Sequence, residues 1–263
     1  MKLAWATDIH LNFLTPLELE RFGDQVAELG AEAFIVTGDI AEASSLVPLL
    51  KDLAEATGQP GLFVLGNHDF YGDEVGAVRR RARALCPSVG TWLGAGSVVD
   101  LGGGTVLVGV DGWGDARHGD PLRSPIKLND FELISDLQGG SHPALIDKLR
   151  ALGDQEGEAA RRALVAAAKE APAHILFATH VPPFRDACVY EGQAADDDWA
   201  PYFTCKAVGE ALTEFSVAHP EIRVTVLCGH SHAAAQVQVL PNLEVRTGAA
   251  EYGAPRVELL DFS

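Results

Sequence analysis

Short apolar runs alternate with amphipathic stretches along the first third of the chain. The pattern predicts strands at 2–7, 33–37 and 61–65 and helices at 16–29, 44–57 and 72–85. An alternation of strands and helices of this kind favours a parallel sheet with helices packed on its faces.

The pattern changes after residue 96. Two apolar segments flank Gly102, Gly103 and Gly104 and predict a hairpin. The remaining pattern predicts helices at 142–152, 155–171 and 206–219, strands at 174–178 and 223–228, and antiparallel strands at 235–240, 243–247 and 256–260. Parallel units followed by an antiparallel meander predict an α/β fold in which two mixed sheets pack together.

The organisation of the chain indicates one domain. No repeat, low-complexity segment or long linker interrupts it, so we predict a single domain over residues 1–263. Two polar stretches without clear periodicity, at about 113–140 and 182–204, are interpreted as irregular insertions. Loops in such positions commonly carry specificity.

The charge of the chain restricts its partners. Twenty basic and thirty-seven acidic residues give a net charge of −17, which repels nucleic acid and anionic membranes. The arginine-rich run at 79–83 is interpreted as a solvated helix face, because helical spacing spreads its residues around one helix. A site for an anionic substrate in such a chain needs local positive charge, which metal ions supply.

The cysteines and the apolar runs indicate the cellular compartment in which the protein is expected. Four scattered cysteines without a C-x-x-C pair indicate free thiols in a reducing environment. No secretory signal is evident, and no apolar run approaches the ~18 residues that a membrane-spanning helix needs. We therefore expect a cytoplasmic protein without a membrane span; the sequence leaves its oligomeric state open.

Polar residues of metal-binding type follow five of the predicted strands. They are Asp8 with His10, Asp39, Asn67 with His68 and Asp69, His180, and His230 with His232. Ligands of open α/β sheets bind beyond the carboxyl ends of the strands, so these side chains are expected to converge. Carboxylate, imidazole and amide ligands without thiolate suit manganese, iron or zinc.

These blocks resemble the five signature motifs of the calcineurin-like metallophosphoesterase superfamily. The motifs are Asp8-x-His10, Gly38-Asp39, Gly66-Asn67-His68-Asp69, His180 and Gly229-His230-Ser231-His232, in the family order. The resemblance covers most of the chain. It implies a four-layer α/β/β/α sandwich with two mixed β-sheets, and a centre of two metal ions.

The resemblance also implies roles for individual residues. Asp8, His10 and His232 are expected to bind the first ion, Asp39 to bridge both, and Asn67, His180 and His230 to complete the second site. A hydroxide bridging the ions would attack phosphorus in a phosphomonoester or phosphodiester, with His68 as general acid. Asp69 is expected to orient a neighbouring imidazole.

The two insertions supply candidate contacts for a phosphorylated substrate of small or medium size. Arg117, Arg123 and Arg185 are candidates for the phosphate, because a guanidinium can bridge two oxygens. Trp113, Tyr190 and Trp199 are candidates for either the phosphate or the organic part of the substrate.

Two other functions are compatible with the motifs. The chain could be a non-catalytic scaffold of the same fold, although no essential residue is missing. It could instead be a nuclease, although the acidic charge opposes binding of a nucleic acid polymer.

Overall fold

A computed structural model of the protein describes residues 1–190 and 192–262. The strands are β1 (Lys2–Ala6), β2 (Ala33–Thr37), β3 (Gly61–Val64), β4 (Gly90–Trp92), β5 (Val99–Gly102), β6 (Thr105–Gly109), β7 (His174–Ala178), β8 (Val189–Tyr190), β9 (Gln193–Ala194), β10 (Arg223–Cys228), β11 (Ala235–Leu240), β12 (Leu243–Thr247) and β13 (Glu258–Asp261). The helices are α1 (Pro16–Glu28), α2 (Leu46–Thr57), α3 (Val75–Arg83), α4 (Asp130–Leu133), α5 (His142–Ala168), α6 (Ala200–Phe203) and α7 (Lys206–Ala218).

Two mixed sheets form the centre of the fold. The first has the order β13-β1-β2-β3-β4, with β1 to β4 parallel and β13 antiparallel to β1. The second has the order β11-β12-β10-β7-β6-β5, with four parallel strands between antiparallel edges. The predicted α/β fold with two mixed sheets is confirmed, and so is the predicted hairpin of β5 and β6.

Alternating residues of the strands build the layers. Leu3, Ile35 and Val64 of the first sheet share a buried cluster with Leu107 and Leu176 of the second, which places an apolar layer between the sheets. The other face of the first sheet packs under α1, α2 and α3, and the other face of the second under α5 and α7. The result is the expected four-layer sandwich.

Two predicted elements differ from the structure. The separate helices predicted at 142–152 and 155–171 are wrong, because α5 runs without a break through Gly153. The predicted terminal meander is also wrong in part. Strand β13 is not part of the second sheet but pairs with β1 at the edge of the first. Strand β12 pairs in parallel with β10. Strand β4 was not predicted.

The two irregular stretches contain little regular structure. In the described part of the chain, the first holds only the short helix α4, and the second holds the β8–β9 hairpin, α6 and a single 3-10 turn. No helix among the described residues combines the length and apolar character needed to cross a bilayer.

Candidate metal centre

Five strand ends meet at one rim of the two sheets. Backbone hydrogen bonds tie the following turns together, from Asp8 N to Gly38 O (3.0 Å), from His10 N to Asp39 O (2.9 Å) and from Gly229 N to His180 O (2.9 Å). Turns that are distant in the sequence therefore lie side by side, as expected for the carboxyl ends of parallel strands.

The backbone of these turns is unusual. Five of the residues expected to bind metal have left-handed backbone angles, namely Asp8 (φ 49°), His10 (40°), Asp39 (51°), His230 (70°) and His232 (56°). Such conformations cost about 1–3 kcal/mol each outside glycine and cluster at functional sites. The rest of the fold offsets this strain, and the backbone conformation directs five candidate ligand side chains towards one place.

The first ligand set consists of Asp8, His10, Asp39 and His232. Each offers a ligand atom, and these atoms all lie within 4.8 Å of one another. His232 Nε2 lies 3.2 Å from Asp8 Oδ1, and His10 Nε2 lies 3.8 Å from Asp39 Oδ2. Within the described structure, neither ring nitrogen of the buried His10 has a hydrogen-bond partner. A buried, unpartnered imidazole beside two carboxylates fits a metal ion.

The second ligand set lies on the other side of Asp39. His180 Nδ1 lies 2.9 Å from the carbonyl oxygen of Thr37, which can only accept, so Nδ1 carries the proton. His180 Nε2 then faces Asn67 Oδ1 at 3.2 Å and Asp39 Oδ1 at 3.4 Å. When Nε2 is unprotonated, three acceptor atoms converge in this buried site, so either a proton on Nε2 or a metal ion must lie between them.

His230 completes this side. Its Nε2 lies 3.3 Å from the carbonyl oxygen of Tyr202, so this nitrogen donates and Nδ1 is left for a metal. Its ring centroid lies 5.0 Å from that of His180. The residues of both sets therefore fit a pair of ions that share Asp39.

The electrostatics agree with this interpretation. Burial acts to lower the pKa of His180, but Asp39 and Asp8 outweigh it and raise the pKa to about 10. Without a metal, this imidazolium is the cation that balances the carboxylates. Burial lowers the pKa of His10 to about 4, and burial together with His180 lowers the pKa of His230 to about 3. Both imidazoles are therefore neutral near pH 7, the form that binds metals.

Two glycines permit the close approach of the turns. A Cβ atom on Gly66 would collide with the carboxylate of Asp39, and one on Gly229 would collide with Thr7 Oγ1 and the carboxylate of Asp8. The backbone at both positions therefore passes close to the carboxylates of the candidate ligands.

His68 lies beside the ligand sets. Its Nε2 is 3.9 Å from Asp39 Oδ2, and its ring stacks on Tyr71 with centroids 4.3 Å apart. The His68 side chain is about 20% exposed, more than that of His10 or Asp39. The imidazole is therefore accessible from the space in front of the ligands.

Asp69 has a different role from the one expected. Its carboxylate accepts hydrogen bonds from the backbone N–H groups of Ile40, Ala41 and Gly66, at 3.0, 2.9 and 2.8 Å. It therefore fixes the turns after β2 and β3 against each other instead of orienting an imidazole.

Asp130 was not identified from the sequence. It is buried in α4, and its Oδ1 accepts hydrogen bonds from Asn67 Nδ2 (2.9 Å) and from the hydroxyl of Tyr71 (2.6 Å). The first contact fixes the Asn67 amide with Oδ1 towards His180. No motif surrounds Asp130 in the sequence, so only its contacts reveal it.

The three candidate arginines do not line the cavity at the site. Arg117 pairs with Asp115 and Asp154, Arg123 lies near Asp120, and Arg185 pairs with Asp197. The interpretation of the run at 79–83 as a solvated face is wrong for one residue. Arg79 reaches inward and pairs with the buried Asp111 and Glu156.

A cavity of about 350 Å³ opens in front of the ligands. One end of the cavity is lined by Asp39, Asn67, His68, His230 and His232. Both irregular stretches supply its walls, the first with Leu128, Asn129 and Asp130 and the second with Cys188, Tyr190, Ala195, Trp199 and Phe203. Of the candidate aromatic residues, Tyr190 and Trp199 line this cavity, whereas Trp113 is buried in the core.

A four-layer sandwich with two metal-ligand sets at its strand ends defines the class of metal-dependent phosphoesterases. Residues 1–234 match the family of calcineurin-like phosphoesterases, and the chain belongs to this family.

Solved structures share the fold. A phosphopantetheinyl hydrolase from Mycobacterium tuberculosis superimposes with a TM-score of 0.62 at 14% identity, over 95% of this chain and 89% of that one. A dimetal phosphatase from Danio rerio superimposes with a TM-score of 0.57 at 12% identity, over 95% and 87%. A search among curated proteins found no match.

Proposed function

We propose that the protein hydrolyses phosphomonoesters or phosphodiesters of small or medium-sized substrates with two bound metal ions. The position of Asp39 carries the proposal. Its Oδ1 faces His180 at 3.4 Å and its Oδ2 faces His10 at 3.8 Å, so one buried carboxylate connects both ligand sets. A shared carboxylate is typical of two-metal sites that act on phosphate esters.

The protein residues would hold the ions as follows. Asp8, His10 and His232 would bind the first, Asn67, His180 and His230 the second, and Asp39 both. When bound, the ions supply Lewis acidity that activates water and neutralises charge on the phosphoryl oxygens. The ligand set suits manganese, iron or zinc.

His68 would serve as the general acid. It lies outside both ligand sets and lines the cavity, where its Nε2 can reach the leaving oxygen of a bound ester. The stacked ring of Tyr71 holds the imidazole plane, so the proton is delivered from a fixed position.

The test measures hydrolysis of p-nitrophenyl phosphate and bis(p-nitrophenyl) phosphate with Mn²⁺, Fe²⁺ or Zn²⁺ and with a chelator. We expect metal-dependent turnover that the chelator abolishes. Asp39→Asn should lower kcat by more than ~100-fold, since even outer-shell partners of metal sites are worth 10–100-fold. Asp100→Asn, which changes an exposed carboxylate on β5, is the matched control and should keep wild-type turnover.

His68→Asn separates the acid from the metal ligands. With an alkyl ester such as ethyl phosphate, whose leaving oxygen needs a proton, it should lower kcat by about 100-fold or more while the protein still binds two ions. Turnover that is unchanged by the chelator and by Asp39→Asn would contradict the proposal. Tight metal binding without turnover of any ester would favour the non-catalytic scaffold instead.

A further inference from the structure

A line of aromatic rings leads from the candidate metal centre to the surface. Phe203 packs on the ligand His230 with centroids 4.4 Å apart, Trp199 packs on Phe203 at 5.4 Å, and Tyr190 lies nearly parallel to Trp199 at 6.4 Å. We call Phe203, Trp199 and Tyr190 the aromatic wall. All three residues line the cavity in front of the metal ligands.

The aromatic wall is only partly covered by the protein. Trp199 is 41% exposed and Tyr190 is 65% exposed. The half-exposed Tyr252 also lines the cavity. Its ring packs on His10 and His232, two residues of the first ligand set. A ligand that covers apolar rings facing a cavity removes them from water, which makes the free energy of binding more favourable.

The charges around the cavity restrict the ligand further. No arginine or lysine is among the described residues that line it, and the carboxylates that do are Asp39 and Asp130. Asp130 already accepts from Asn67 and Tyr71. A second phosphate or a carboxylate on the substrate would therefore meet no cation away from the metal ions.

From this geometry we propose that the leaving group of the substrate is planar and aromatic and carries no negative charge, and that it stacks on the aromatic wall while its phosphate lies at the metal ligands. The proposal rests on the proposed function and specifies its substrate class. A cavity of about 350 Å³ lies within the range of small-molecule sites, so it is large enough for a ring system beside the phosphate.

The experiment compares esters whose leaving groups have similar intrinsic reactivity. We would measure kcat/KM for ethyl phosphate and 2-phenylethyl phosphate, and for their methyl diesters, with the metal-loaded protein. Stacking on an aromatic side chain should favour the phenylethyl ester by about 10-fold. Choline phosphate tests a cationic leaving group without a ring, and ethane-1,2-diol bisphosphate tests a second phosphate; both should be poorer substrates than the phenylethyl ester.

Variants assign the preference to the aromatic wall. Trp199→Ala should lower the ratio of kcat/KM for phenylethyl over ethyl ester by about 5- to 10-fold, and Trp199→Phe should retain most of it. Leu122→Ala truncates an exposed apolar side chain that does not line the cavity, and it should leave the ratio unchanged.

The outcomes distinguish this proposal from the function on which it rests. Hydrolysis of ethyl and phenylethyl esters with equal kcat/KM, or a preference for choline phosphate or the bisphosphate, would overturn the aromatic leaving group and leave the phosphoesterase intact. Failure to hydrolyse any ester with any of the metals would overturn the proposed function, and this inference with it.

Discussion

Asp130 connects two side chains, those of Asn67 and Tyr71, that flank the single 3-10 turn His68–Phe70. One carboxylate oxygen accepts from the Asn67 amide and from the Tyr71 hydroxyl, and Tyr71 in turn stacks on His68. A single buried acid in the first irregular stretch therefore contacts a candidate metal ligand directly and the candidate general acid through Tyr71. Partners of this kind tune metal sites although they do not touch the ion.

Asp130→Ala should selectively weaken the second metal site. Without its acceptor, the Asn67 amide can rotate, so the affinity of the site formed with His180 and His230 should fall by about 10–100-fold. The first site should keep its affinity. Calorimetric titration with Mn²⁺ or Zn²⁺ would resolve the two sites.

Two further variants sharpen this test. Asp130→Asn keeps an acceptor oxygen and should restore part of the affinity. Tyr71→Phe removes only the hydroxyl and should leave both affinities close to wild type, because the contact to Asn67 remains. Two ions bound by Asp130→Ala with wild-type affinity would show that Asp130 has no positioning role.

His174 provides a pH-dependent contribution to stability away from the metal ligands. It is buried at the start of β7, where its Nε2 lies 3.0 Å from Thr225 Oγ1 and its Nδ1 lies 3.1 Å from Arg223. Burial, followed by Arg223 and countered in part by Glu244, lowers the pKa of His174 from 6.5 to about 4. The folded chain thus keeps it neutral where the unfolded chain protonates it.

The sign of the effect follows from this difference. Between pH 6.5 and 4 the unfolded state binds more protons at His174, so the free energy of unfolding falls as the pH falls. The loss amounts to at most ~3 kcal/mol. His174→Gln should show a shallower decline than the wild type when unfolding is measured by urea titration at several pH values. His219→Gln, at the half-buried C-cap of α7, should keep the wild-type slope, and equal slopes in all three proteins would contradict the prediction.

At the scale of elements, the long helix α5 shows how tertiary contacts override local propensity. Gly153 and Asp154 are poor helix formers and suggested a break between two helices. In the structure, a Cβ atom on Gly153 would collide with the Asp115 side chain, and one on Gly157 would crowd Ala207. The helix therefore continues because glycine lets it approach its neighbours closely, a contact that periodicity in the sequence does not reveal.

Gly153→Ala should fail to stabilise the protein although alanine favours helices. The gain in propensity is about 1 kcal/mol, and overpacking against Asp115 should cost about 1–3 kcal/mol, so we expect an equal or lower free energy of unfolding. Gly76→Ala in α3 is the matched control, because a Cβ atom there would meet only the flexible end of Arg80. It should be stabilising. Stabilisation of both variants by the same amount, measured by urea unfolding, would contradict this account.

Across the whole molecule, the sequence predicted what local patterns encode. Apolar runs located most strands, and the polar residues after five of them identified the residues that the structure brings together. The pairing of β13 with β1 could not be predicted, because no local sequence pattern indicates that a strand near the C-terminus pairs with one near the N-terminus. Asp130 and Phe203 belong to no motif, and their proximity to the ligands arises only when the irregular stretches fold over the rim.

The distribution of ligands over both sheets has a consequence for global stability. Asp8, Asp39 and Asn67 follow strands of the first sheet, whereas His180, His230 and His232 follow strands of the second. Each ion would therefore have ligands from both sheets and would link the two sheets at one rim. Metal that binds the folded chain alone stabilises it by about 2.7 kcal/mol at 100 times its dissociation constant.

Thermal unfolding should therefore depend on metal. For a chain of this size, 1 kcal/mol corresponds to about 2–4 °C, so Mn²⁺ or Zn²⁺ at 100 times the dissociation constant of both sites should raise the Tm by roughly 10–20 °C over the value in chelator. Asp39→Asn should lose most of this increase because it weakens both sites, whereas Asp100→Asn should retain it. A Tm that is independent of metal in the wild-type protein would contradict a metal centre at these strand ends, since a ligand that binds the native state in preference to the unfolded chain stabilises it.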